Sequence, residues 1–383
     1  MKTMKTARFW MQSFQRKGKR MMAAAILILL VCILVLAGLL AAWSIPGKPK
    51  PFVDETGHPL AGSISEKLYL DINGVRQGMF IKGKDVSNPV LLYLHGGMPD
   101  YFLNERYPNG LEDHFTVVWW EQRGAGISYH ADIPPETLTA EQFVSDTLEL
   151  THYLRQRFGK DKIYLMGHSG GTFFGIQAAA RAPELYHAYI GVAQISNQLR
   201  SEAQAYDYML EQFRENGDTN MVQRLEAAPV SGASGIPDSY YAIRDVAMHS
   251  LGVGTTHDMT SVLADIVLPS WQCRDYTLGE KVNTWRGKIQ TGVSPLWKEI
   301  LVTDLNDRVT HVDIPVYFLH GIHDYTVSYT EAKAYFDKVQ APVKGFYTFE
   351  ESAHSPFFEE PEKTQTILAE DVLTGSNGLA DTQ

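Results

Sequence analysis

The longest unbroken apolar run is MAAAILILLVCILVLAGLLAAW, residues 22–43, which holds 22 consecutive positions without a charge. At about 1.5 Å of rise per residue, such a helix crosses a hydrocarbon layer of roughly 30 Å. Beyond it the pattern changes to short apolar runs divided by turns. KLYLDI and VRQGMFIKG flank Asn73-Gly74, a favoured two-residue hairpin loop, and predict a β-hairpin. VLLYLH (90–95) and FTVVWW (115–120) are too continuously apolar for strands with one wet face, so they predict strands covered on both sides. In 141–158, Phe143, Leu148, Leu150, Leu154 and Phe158 recur at helical spacing. KIYLM (162–166), a helix from Gly170 to about Ala182 and AYIGVA (188–193) continue the alternation, which predicts an α/β layer fold.

The alternation then stops for over 100 residues. From 196 to 310 the chain reads as mostly helical, with SEAQAYDYMLEQFREN its clearest piece, before IPVYFLH (314–320), a helix near 329–338, GFYTFE (345–350) and a helix around 361–373 restore the earlier pattern. An insertion that leaves a sheet and returns to it predicts a cap over whatever the sheet presents. The expected division is a basic segment 1–21, a membrane helix 22–43, a Pro- and Gly-rich stalk 44–65, a core formed by 66–195 and 311–375, a cap 196–310 and a flexible tail 376–383. No internal repeat is visible.

Charge orients the first helix. Lys2, Lys5, Arg8, Arg16, Lys17, Lys19 and Arg20 precede it with no acid among them, which places the N-terminus in the cytoplasm and everything after Trp43 outside the cell. A cleaved signal peptide followed by secretion is the competing reading, since Ala37, Gly38, Ala41 and Ala42 suit a peptidase, although the apolar run exceeds the usual 7–15 residues. Contact with membrane lipid through 22–43 is the partner implied by the anchor. Past the helix, 27 Lys and Arg face 44 Asp and Glu, a net charge of −17 that disfavours nucleic acid and other acidic polymers as partners. Cys32 and Cys273 are the two cysteines, too few for a disulfide framework. Oligomeric state is left open.

The candidate chemistry collects at predicted strand ends, where open parallel sheets carry their sites. GHSGG (167–171) closes KIYLM and opens a helix, the strand, sharp turn and helix context that makes a serine protrude, so Ser169 is the candidate nucleophile. A serine hydroxyl needs an imidazole to take its proton and a carboxylate to fix that imidazole. His354, in the loop after GFYTFE, and Asp324, just past IPVYFLH, follow in the expected order, with Asp313 a weaker alternative acid. His320 and His323 lie near Asp324 at the strand end, and His168 beside the nucleophile reads as a residue that packs against the site or supports its catalytic groups. The amides of Gly170 and Gly97, the latter in HGG (95–97), are the expected oxyanion donors. There is no G-x-G-x-x-G after the first strand, no lysine-bearing phosphate loop, no H-E-x-x-H and no cysteine cluster, so no cofactor and no metal is expected.

With HGGMPD (95–100), WWEQRGAGIS (119–128), GHSGG (167–171), GIHDYTV (321–327) and ESAHSP around His354, the chain resembles the prolyl-aminopeptidase-like α/β-hydrolases over roughly 65–375. The resemblance implies an α/β-hydrolase fold with a helical cap, a Ser169–Asp324–His354 triad, and a supporting role for His95, Gly96, Glu121 and Arg123. It also implies cap acids that bind the free amino end of a peptide, for which Glu202, Glu211 and Glu215 on the first predicted cap helix are the candidates; a solvated acidic helix face explains them equally well. The chain departs from the family at HGGMP in place of HGGPG, at Glu121 in place of Asp, and at Gly170, where an aromatic residue is common. The expected function is acyl transfer through an acyl-enzyme on a small-molecule or short-peptide substrate, releasing an N-terminal, proline-like residue. Hydrolysis of esters or lactones, and an inactive surface binding domain, are the alternatives.

Overall fold

The computed structural model describes residues 2–232 and 235–381. Eight strands form one sheet: β1 (Ile64–Ile72), β2 (Val75–Gly83), β3 (Val90–Leu94), β4 (Thr116–Glu121), β5 (Ile163–His168), β6 (Tyr186–Val192), β7 (Val316–Gly321) and β8 (Lys344–Phe349), in the order β1-β2-β4-β3-β5-β6-β7-β8. β1 pairs antiparallel with β2 through the Asn73-Gly74 turn, and β2 pairs antiparallel with β4. All remaining pairs are parallel. Alternate side chains of the central strands enter two separate cores. Leu92, Leu94, Val118 and Trp120 pack into one, and Leu91, Tyr93, Val117 and Trp119 into the other. Those continuous apolar runs are thus explained by helices on both faces.

Between β6 and β7 the chain makes the cap, including helices Gln198–Glu215, Thr219–Glu226, Asp238–Ser250 and Leu278–Gly292. The first three share a core of their own that includes Ala205, Met209, Phe213, Leu225, Tyr240 and Ala247. Leu305 N donates to Ser196 O at 2.8 Å, closing the base of the insertion where it rejoins the sheet.

Three expected boundaries shift. The first helix runs from Lys2 to Trp43, because the basic segment before the apolar run contains no proline and its single glycine, Gly18, does not stop the helix. Of the expected stalk, 64–65 already belong to β1 and 44–63 form a strap docked at its start: Gly47 N donates to Arg274 O at 3.0 Å, Arg274 Nε to Ile45 O at 2.9 Å and Lys281 Nζ to Trp43 O at 2.6 Å. The expected flexible tail is tied through 381. β8 is an edge strand with unpaired backbone groups, and Asp381 N donates to Phe346 O at 2.9 Å while its carboxylate accepts Thr348 N at 3.0 Å.

Candidate active site

β5 meets helix Gly170–Arg181 at one residue, Ser169, with φ 53° and ψ −124°. A non-glycine residue held there costs on the order of 1–3 kcal/mol and persists only when its surroundings enforce it. The surroundings do so through glycines. A Cβ on Gly171 would collide with Leu94 O, and one on Gly167 would stand 2.9 Å from the Gly171 backbone. A Cβ on Gly96 would reach within 2.7 Å of Ser169 Cβ and 3.0 Å of its Oγ, so the HGG loop presses directly on the serine. Gly97 N lies 3.7 Å from where a Cβ on Gly170 would stand, which puts both expected oxyanion amides beside Ser169. Among the described residues Ser169 Oγ and His354 Nε2 have no hydrogen-bond partner; such bonds commonly tighten only when substrate arrives.

His354 and Asp324 are in direct contact, Nδ1 to Oδ2 at 2.9 Å, and both are buried. The other carboxylate oxygen of Asp324 accepts Thr326 N and Val327 N, each at 2.9 Å. Burial alone would raise the Asp324 pKa, but His354 and His320 outweigh it and hold the carboxyl well below its usual range. Burial lowers the His354 pKa, partly opposed by Asp324, which keeps the imidazole neutral and able to accept a proton near pH 7. His320 also reaches Asp324, Nε2 to Oδ2 at 3.3 Å, and bonds Val327 O at 2.9 Å. His323 stacks on His257 of the cap. Asp313 lies on the surface against His311 at 2.6 Å, away from this cluster.

His168 takes a supporting role, one of the two the sequence allowed it, while Tyr93, Asp100 and Glu359 escaped the sequence reading. His168 links the serine turn to the histidine loop, with Nε2 2.9 Å from His354 O and Nδ1 3.0 Å from Asp100 Oδ2. Tyr93 OH donates to the same Asp100 oxygen at 2.5 Å. Glu359 accepts Ala353 N at 3.0 Å and Ser355 N at 3.2 Å, the amides on either side of His354, and His257 N of the cap at 2.6 Å. Asp100 stood in the quoted HGGMPD, and Glu359 five residues beyond His354, but neither carries a local pattern that distinguishes it from a surface acid.

The four expected supports divide. Gly96 abuts the serine, and His95 braces the loop, its Nδ1 2.8 Å from Gly96 O and its Nε2 accepting Gln122 N at 3.2 Å. Glu121 is buried under the turn after β4, where its carboxylate accepts Ile127 N at 2.6 Å and the Tyr276 hydroxyl. Arg123 lies away from the serine, in a buried pair with Asp146 at 2.7 Å, and donates to Ile72 O and Asn73 O, so it ties β4 to the β1–β2 hairpin.

The three cap glutamates do not converge. Glu202 is fully buried but committed to Arg244, Nε to Oε2 and Nη2 to Oε1 each at 2.7 Å, and to Gln198 Nε2 at 3.0 Å. Glu211 and Glu215 are exposed on the same helix. An exposed helical face at four-residue spacing is what a solvated acidic surface looks like.

Residues 89–361 match the family model of the alpha/beta hydrolase fold. The probable aminopeptidase YbaC of Bacillus subtilis is 30% identical over 315 residues, covering 81% of this chain and 97% of that protein. The crystal structure of a proline iminopeptidase-related protein from Thermus thermophilus superposes with TM-score 0.55 at 20% identity, and that of the proline iminopeptidase from Mycobacterium smegmatis with 0.56 at 16%. Each covers 80% of this chain and 98% of the solved one, and at these identities the likeness concerns the fold.

Proposed function

Because this chain belongs to the alpha/beta hydrolase fold family, we propose that it is a serine hydrolase acting on small acyl substrates through an acyl-enzyme on Ser169. The observation that carries the reading is the buried Asp324–His354 pair beside a serine held at positive φ. In this reading Asp324 holds the proton on Nδ1 of His354, leaving Nε2 to take the Ser169 proton as Oγ attacks the carbonyl carbon. The amides of Gly97 and Gly170 receive the oxyanion. His354 then protonates the leaving group as its bond to carbon breaks, and water, deprotonated by the same nitrogen, releases the acid and restores the serine. The helix through 22–43 anchors the enzyme, with the hydrolase domain outside the cell.

The names of the similar proteins favour release of an N-terminal residue from a peptide. One observation favours the second reading, small esters and amides without a free amine: Glu202 is neutralised by Arg244, while Glu211 and Glu215 are exposed. The test compares a prolyl arylamide, its N-acetyl form and a short-chain nitrophenyl ester. Cleavage of the free amine at least about a hundredfold faster than the acetylated form supports the aminopeptidase reading; equal rates, or ester turnover alone, support the second. Ser169→Ala, His354→Ala and Asp324→Asn should each lower kcat by at least about 10³, without additive losses in double variants. Near-normal turnover in any of them rejects this triad, and an inert Ser169 toward an organophosphonate would leave only a binding domain.

A further inference from the structure

Lys288 follows Gly287 in the cap helix Leu278–Gly292, and that glycine is where the helix seats on the turn after β4. A Cβ on Gly287 would stand 2.7 Å from Gly124 O and 3.1 Å from Ala125 Cα, so the backbone approach there requires glycine. The seat brings the next residue over the HGG loop. Lys288 Nζ lies 3.7 Å from the point where a Cβ on Gly97 would stand, beside the amide expected to hold the substrate carbonyl oxygen.

Lys288 is half-buried and, among the described residues, its amine has no hydrogen bond and no ion pair within 4 Å. A lysine with a free path to solvent ordinarily extends its ammonium outward; this one ends beside the glycine loop. Its charge acts on Asp245, which is half-exposed and bonded to Arg244 Nη1 at 2.9 Å. Arg244 is in turn occupied by Glu202. Asp245 thus balances the charge of Lys288 at longer range, while the amine beside the expected carbonyl seat has no direct hydrogen bond or ion pair among the described residues. An α-ammonium next to the scissile carbonyl would be repelled there, and a carboxylate attracted.

We propose that Lys288 is a specificity-determining residue that receives a carboxylate carried on the acyl part of the substrate, within a few bonds of the scissile carbonyl. The acyl side is indicated because the leaving group must reach His354, whereas Lys288 stands over Gly97. The inference rests on the serine-hydrolase reading, and it deepens the reading without a free amine by naming an anionic acyl group.

The test uses the full chain in detergent and two 4-nitrophenyl esters of glutaric acid, one with the free terminal carboxylate and one with the isosteric terminal amide, both corrected for spontaneous hydrolysis. The native enzyme should prefer the carboxylate by at least about tenfold in kcat/KM, with the preference shrinking as salt rises. Lys288→Met should lower the carboxylate-to-amide ratio by about tenfold, and Lys288→Arg should keep most of it. A native preference for the amide, or a ratio unchanged in Lys288→Met, overturns the proposal. So does an equal loss on both esters, which would make Lys288 a general aid to the oxyanion. A neutral fluorophosphonate separates the two levels of inference: labelling of Ser169 without a carboxylate preference rejects this proposal alone, while absence of labelling rejects the hydrolase reading and this one together.

Discussion

Glu121 is 1% exposed, and Ile127 N and the Tyr276 hydroxyl both donate to its carboxyl, which favours the ionised form. Burial nevertheless wins, raising its pKa from 4.5 to about 8 against both hydrogen bonds, and Glu359 rises similarly to about 7. A carboxyl with a raised folded pKa binds its proton more tightly in the native state. The associated stability is fully present below the unfolded value and is lost as pH climbs through the folded one, at about 1.4 kcal/mol per unit inside that window. Glu121→Gln removes this dependence while keeping an acceptor for Ile127. Relative to the native chain, the variant should gain up to a few kcal/mol between pH 5 and pH 9, read by denaturant unfolding at each pH. A stability gap that stays constant over that range would show that Glu121 does not titrate there. Glu, one methylene longer than the Asp that the resemblance leads one to expect, is accommodated because Gly126, at φ 49°, has no Cβ to collide with Glu121 Oε2.

Among the elements, the strands and the serine turn were legible because their signals are local. A doubly covered strand must be apolar at successive positions, and a sharp strand-to-helix turn must have glycines, so VLLYLH, FTVVWW and GHSGG declare themselves within a few residues. The cap was legible only as an interruption. What its side chains do depends on partners far along the chain: Glu202 meets Arg244 42 residues later, and Lys288 meets a loop that lies before the nucleophile. Spacing on one helix showed Glu211 and Glu215 on a common face but had no bearing on which way that face points. The Glu202–Arg244 pair supports a prediction at this scale. Glu202 is fully buried, so Arg244→Met strands a charge and should destabilise the chain by about 3–5 kcal/mol. Adding Glu202→Gln removes that charge, and the double variant should unfold later than Arg244→Met alone. If both unfold together, the pair is not what holds helices Gln198–Glu215 and Asp238–Ser250 in register.

At the scale of the whole molecule the question is which side of a membrane the cap and its cleft face. A single apolar helix near the N-terminus is compatible with an anchor and with a cleavable signal. At 42 residues the first helix is about 63 Å long, roughly twice a hydrocarbon layer, so in an anchored chain its basic first half would project beyond the lipid, while Leu27, Leu34 and other apolar side chains stand exposed along the second. Its last residue is fastened to the cap through Lys281 and Trp43 O, and the following strap is bound at Gly47 and Ile45. An anchored domain would therefore sit close against the membrane without a free tether. The two native cysteines make the orientation testable: Cys273 is buried, and Cys32 lies within the apolar segment. In a chain carrying Glu215→Cys, at an exposed cap position, a membrane-impermeant maleimide should label intact cells, whereas Lys5→Cys should label only after lysis. Protection of Glu215→Cys until lysis would reverse the orientation. Recovery of the labelled domain in the medium, shortened by the first helix, would assign that helix as a cleaved signal; labelled full-length chain in the membrane fraction would assign it as the anchor.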